Sequence, residues 1–110
     1  MQIAFNYSGR DELVNAIKKI SSAAKSGDID PLAIDEQIIN SNLFTAGIPE
    51  PDLLIRTGGD RRISNFLLYH LAYTEIQFSK TLWPDFTEGE FVKCLEVFSK
   101  TERRFGKRTL

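Results

Sequence analysis

The sequence has a single cysteine, Cys94, which excludes an internal disulfide, and with a single histidine, His70, no second Cys or His stands at metal-ligand spacing from it. No apolar run approaches the ~20 residues that a membrane-crossing helix requires, and the N-terminus lacks the basic and then apolar pattern of a signal peptide. Together these features lead us to expect a cytoplasmic protein. There is no excess of charge of one sign either: 14 basic residues stand against 15 acidic ones, for a net charge of -1. The field of the whole chain would not hold a polyanion, so nucleic acid is not an expected partner and any anion site must be local. With 42% hydrophobic content, the 110 residues can build one core, and we expect 1–110 to be a single domain or part of one.

Gln2 to Tyr7 is rich in β-favouring residues and predicts a strand that begins directly after Met1. Natural domains seldom open so abruptly, and we expect further material before it in the complete protein. Ser8 and Asp11 stand at capping-box spacing. Leu13, Val14, Ile17, Ile20 and Ala24 then recur at helical spacing, and Gly27 is placed to end that helix. A shorter helix is predicted over 35–43, with Ile38 and Ile39 inward. Asp52 to Arg56 reads as a strand covered on both faces, Phe66 to Thr74 as a helix and Glu75 to Phe78 as a short strand. Thr87 and Glu90 start a last helix that the pattern carries to about Phe105, with Gly106 as its stop. Strands alternating with helices predict an α/β fold with a mainly parallel sheet flanked by helices.

Ligands in such sheets collect beyond the carboxyl ends of the strands. Two segments are predicted there, 6–10 (NYSGR) and 56–64 (RTGGDRRIS). In the second, Arg56, Arg61 and Arg62 gather around Gly58 and Gly59, with the hydroxyls of Thr57 and Ser64 close in sequence. Guanidinium forks match the paired oxygens of a diphosphate, and glycine amides can complete an anion-binding nest. A bare glycine pair flanked by arginines is more often a turn with a solvated face; its position at a strand end favours the functional reading. Glu75 by itself reads as a surface residue that could become a Mg²⁺ ligand, since that ion takes one or two carboxylates beside water and phosphate oxygens. His70 reads as a partly buried core residue and Cys94 as a small apolar residue on a helix. Trp83, before Pro84 and near Phe86, reads as a packing plug, and the pair Arg103 and Arg104 as charge suited to a helix C-terminus or to an anion.

The run RTGGDRRISNFLLYHLAYTEIQF, followed by LWPDF and ERRFG and preceded by NYSGR, resembles the C-terminal half of the cis-prenyltransferases, the undecaprenyl diphosphate synthases in particular. The resemblance covers essentially the whole chain, in family order and spacing. It implies condensation of isopentenyl diphosphate with an allylic prenyl diphosphate to give a polyprenyl diphosphate such as undecaprenyl diphosphate, a lipid carrier for cell-wall synthesis. Arg56, Arg62 and Ser64, with Gly58 and Gly59, would bind the isopentenyl diphosphate group and Glu75 would help hold Mg²⁺. The resemblance further implies a homodimer in which Arg103 or Arg104 reaches toward the partner's site, and a cytoplasmic enzyme, peripheral to the membrane that its product joins.

Three features depart from the family pattern. Ser8 replaces the first glycine of NYGGR. Arg61 stands where bacterial synthases often carry a histidine, so a histidine-dependent role does not transfer. The family's N-terminal half, with the DGNxRWA-type loop that holds the catalytic aspartate and the helices of the product tunnel, is absent from these 110 residues. No catalytic residue is therefore assigned in this chain, and the chain alone is expected to keep an anion half-site without completing catalysis. A non-catalytic accessory subunit, an inactive fragment that binds diphosphate and a generic phosphate-binding module are the rival readings.

Overall fold

The computed structural model describes residues 1–101 and 103, in the order α1 (Gly9–Ser26), α2 (Glu36–Asn42), β1 (Leu53–Arg56), β2 (Glu75–Phe78) and α3 (Glu88–Lys100). Single 3-10 turns lie at Pro31–Ala33, Tyr69–Leu71 and Trp83–Asp85. The chain forms two compact units, one from Met1–Pro49 with Asn65–Tyr69, the other from Glu50–Ser64 with the described residues from His70 onward. An α/β fold with parallel strands and helices is present, as the alternating pattern predicts.

In the first unit, α1 begins and ends where its caps dictate. The Ser8 hydroxyl accepts from the Asp11 amide at 3.4 Å, and Gly27 closes the helix at φ 84°, a left-handed conformation that glycine adopts without strain. The inward face differs from the apolar pattern: Gly9, Glu12, Ala16 and Ile20 are buried, whereas Val14 and Ile17 are exposed. Glu12 lies on the buried face. Its carboxylate, 1% exposed, accepts from the Tyr7 phenol and from the amide and hydroxyl of Thr45, both at 3.3 Å. A buried carboxylate is tolerated when donors satisfy it, which a hydropathy pattern does not register. Gly9 marks a close crossing, since a Cβ there would stand 2.9 Å from the Leu68 side chain and 3.2 Å from the carbonyls of Asn65 and Phe66. Asp35 caps α2 through the Ile38 amide at 3.0 Å; Ile38 and Ile39 are half-buried and Leu43 is buried.

The strand predicted over 2–7 is not formed, and Ile3 and Phe5 are exposed. Strand propensity is realised only where a neighbouring strand takes up the backbone groups, and among the described residues no strand pairs with this segment. The helix predicted over 66–74 shrinks to the turn Tyr69–Leu71. Just before it, Ser64 and Asn65 take left-handed backbone angles (φ 52° and 60°), and Asn65 bonds to the start of α1 instead of opening a helix.

In the second unit β1 and β2 are parallel, with Leu53 opposite Glu75 and Arg56 opposite Phe78. The Glu75 amide donates to the Asp52 carbonyl at 3.0 Å and the Ser79 amide to the Arg56 carbonyl at 2.8 Å, which fixes the register at both ends. Every residue of the two strands is half-buried, so β1 is less covered than its apolar run predicts. The Thr87–Glu90 capping box starts α3 as expected, and the Gln77 side chain donates to the Cys94 carbonyl at 2.9 Å, tying the helix to β2. The helix stops at Lys100, earlier than predicted, because Thr101 is extended (φ -80°, ψ 129°) and its amide turns back to Phe98; Gly106 lies outside the described residues. His70 is buried and Cys94 half-buried, as expected. Trp83 is no plug: it is 73% exposed, at the start of the turn Trp83–Asp85, and it stacks on the half-buried Phe86.

Burial, and then the hydrogen bond to the Glu12 carboxylate and its charge, raise the Tyr7 phenol well above its ordinary value of 10.0. Because the unfolded chain ionises first, the stability tied to the neutral phenol is fully present below pH about 10 and is lost as pH rises above it. Urea unfolding across this range should show a steeper alkaline decline in the natural chain than in Tyr7→Phe. The variant should also lose about 1 kcal/mol at neutral pH, the usual worth of one hydrogen bond.

Candidate anion-binding site

Arg56 is the last residue of β1, so its guanidinium leaves the sheet at the carboxyl end of the strand. It organises the loop that follows. Its Nη1 donates to the Arg62 carbonyl at 2.5 Å and to the Ser64 hydroxyl at 3.0 Å, and its Nη2 meets the Asp60 carboxylate at 3.2 Å. The structure thus brings Arg56, Ser64 and the backbone of Arg62 together, while the Arg62 side chain lies in an exposed residue of the same loop. Arg61 departs from the cluster, its guanidinium standing 5.0 Å above the Phe78 ring at the end of β2.

Gly58 and Gly59 adopt φ 93° and 90° with open space where a Cβ would be, so backbone conformation, not crowding, asks for glycine at both positions. Their amides do not form the expected nest. Gly58 donates to the Thr81 carbonyl at 2.8 Å and Gly59 to that of Ser79 at 3.0 Å, which staples the loop to the segment after β2. The positive charge of the site therefore rests on side chains.

The NYSGR segment is not an open anion seat either. The first four amides of α1 are all taken: Gly9 and Arg10 donate to the backbone and side-chain carbonyls of Asn65, at 2.7 and 2.9 Å, and Asp11 and Glu12 donate to Ser8. Asn65 also donates to the Ser8 hydroxyl at 2.7 Å. This clamp was not visible in the pattern; an asparagine just after the loop, a residue type at ease in left-handed backbone, is the one signal that could have pointed to it.

Glu75 and Arg103 lie elsewhere. Glu75 pairs with Leu53 and Arg56 with Phe78, so the two stand at opposite ends of the strand pair, about 10 Å apart along it. Arg103 is at the Glu75 end, bonded to the Asp52 carboxylate at 2.7 Å and to the Tyr73 carbonyl at 3.0 Å. Arg104 lies outside the described residues. Among the described residues no three His, Cys, Asp or Glu side chains gather as a metal site. An open cleft of about 350 Å³, lined by Ile55, Trp83, Phe86, Thr87, Glu88 and Phe91, involves the strand residue next to Arg56. Successive side chains of a strand point to opposite faces, so this cleft is not part of the arginine loop.

The family model for undecaprenyl diphosphate synthase matches residues 1–106. An isoprenyl transferase of Prochlorococcus marinus is 53% identical over 106 residues, 96% of this chain and 39% of its own length. One of Aquifex aeolicus is 48% identical over 107 residues, 97% of this chain and 44% of its own. Among solved structures, lavandulyl diphosphate synthase from Lavandula x intermedia, in complex with dimethylallyl diphosphate, superposes with a TM-score of 0.88 at 39% identity, covering 92% of this chain and 44% of that one. The chain spans about two fifths of the length of the relatives it matches, and it belongs to the cis-prenyltransferase family, the isoprenyl transferases.

Proposed function

We propose that this chain supplies the isopentenyl diphosphate half-site of a cis-prenyl chain elongator. The observation that carries the reading is the Arg56, Arg62 and Ser64 loop, preformed at the carboxyl end of a parallel strand, where α/β sheets take their ligands. The relatives' names and the diphosphate bound by the lavandulyl enzyme support the same substrate class.

In this reading the Arg56 and Arg62 guanidinium groups neutralise the diphosphate and the Ser64 hydroxyl orients it. Fixing that end of isopentenyl diphosphate aims its C=C bond. The bond then attacks the allylic carbon as pyrophosphate departs, and loss of a proton leaves the new cis double bond. The protein contributes position and charge neutralisation prepared in advance. In this reading the allylic diphosphate and the catalytic aspartate would belong to the N-terminal half that the family resemblance implies. The complete enzyme would act as a cytoplasmic homodimer peripheral to the membrane that receives its polyprenyl product; no described helix is long and apolar enough to cross one.

Magnesium is part of the proposal through Glu75, which would give one carboxylate, the remaining ligands being water and diphosphate oxygens. When bound, the ion adds positive charge beside the diphosphate. Glu75 stands about 10 Å from Arg56 along the strand pair, so the ion would meet the diphosphate from the side away from that guanidinium.

Calorimetric titration of the chain with isopentenyl diphosphate should show binding that falls at least tenfold in Arg56→Ala and in Arg62→Ala, since each loses a charge-assisted bond to phosphate. Unchanged affinity in both variants would overturn the half-site. In the same titration, added Mg²⁺ should tighten binding to the natural chain and have little effect on Glu75→Gln. An equal response in the two chains would leave Glu75 as a strand-end residue with no metal role.

A further inference from the structure

The arginine loop is closed upon an anion of its own. Asp60 is the acidic residue within 56–64, and its carboxylate sits 3.2 Å from Arg56 Nη2, on the guanidinium that the site would turn toward a diphosphate. Of the other sources of positive charge, the Gly58 and Gly59 amides are engaged by backbone carbonyls and Arg61 by the Phe78 ring, which leaves the exposed Arg62 beside Arg56. An incoming anion at Arg56 therefore competes with this carboxylate. The Asp60 side chain is 60% exposed and that of Arg56 27%, so Asp60 can swing into water at little desolvation cost while Arg56 stays in place, held by the Arg62 carbonyl and the Ser64 hydroxyl.

We propose that Asp60 is an internal counter-ion that a diphosphate displaces, and that it sets the loop's discrimination against anions of lower charge. The inference rests on the half-site reading above. Exchanging one carboxylate for an anion that engages Arg56 alone gains little, because the guanidinium trades one ion pair for another. A diphosphate carries more charge and is long enough to engage Arg62 as well as Arg56, so it gains where a simpler anion does not. Asp60 thus sets a threshold that every anion must exceed at Arg56, and the diphosphate exceeds it through its second contact with Arg62.

The test is an NMR titration of the isotope-labelled chain with inorganic pyrophosphate and, separately, with inorganic phosphate. Asp60→Asn and Asp60→Ala should bind pyrophosphate more tightly by about three- to tenfold, the range expected for removing one exposed charge, and should gain phosphate binding that the natural chain lacks. Asp60→Glu, which keeps the carboxylate, should behave as the natural chain. Unchanged or weaker pyrophosphate binding in both Asp60→Asn and Asp60→Ala, while Arg56→Ala loses it, would overturn the counter-ion role and leave the half-site standing. Pyrophosphate binding that is absent from the natural chain, or is untouched by Arg56→Ala, would overturn both.

Discussion

The Arg56 guanidinium is the interaction on which the candidate site depends. A strand of four residues ends in a charge, and that charge turns the next eight residues into a loop by reaching the Arg62 carbonyl, the Ser64 hydroxyl and the Asp60 carboxylate. The two left-handed glycines make the turn possible, and their amides fasten it to the residues after β2. The parallel register, pinned by Asp52 with Glu75 and by Arg56 with Ser79, keeps the base of the loop in place. Positive charge is thereby presented without a helix N-terminus or an amide nest, the two devices most often used for anions.

A second polar anchor, Glu12, does comparable work in the first unit. Burying a carboxylate is costly unless donors surround it, and Tyr7 with Thr45 supplies them. The result joins three parts of that unit, the segment before α1, α1 itself and the residues after α2, through one side chain. Asn65 adds a further tie by giving two carbonyls to the first amides of α1. Both cases show polar groups placing backbone where apolar packing is thin.

What could be read from the sequence followed from strong local signals. Ser8, Gly27, Asp35 and Thr87 each carry capping chemistry that acts within a turn or two, and each marks a real helix end. Arg56, Arg62 and Ser64 were legible as a group because they share one short loop at a strand end. What could not be read depends on partners distant in sequence. The segment 2–7 has strand composition but forms no strand, Asn65 bonds to the start of α1 instead of opening a helix over 66–74, and α1 buries Glu12 while Val14 and Ile17 are exposed. The glycine amides differ from expectation for the same reason, since the carbonyls of Ser79 and Thr81 take them.

The most direct test of the central claim is a crystal structure of the chain with isopentenyl diphosphate. The account predicts that the diphosphate lies against the guanidinium groups of Arg56 and Arg62 and the Ser64 hydroxyl, with the Asp60 carboxylate turned away from Arg56. A diphosphate bound at the first turn of α1 or in the cleft beside Trp83, with the Arg56 to Asp60 pair intact, would contradict it.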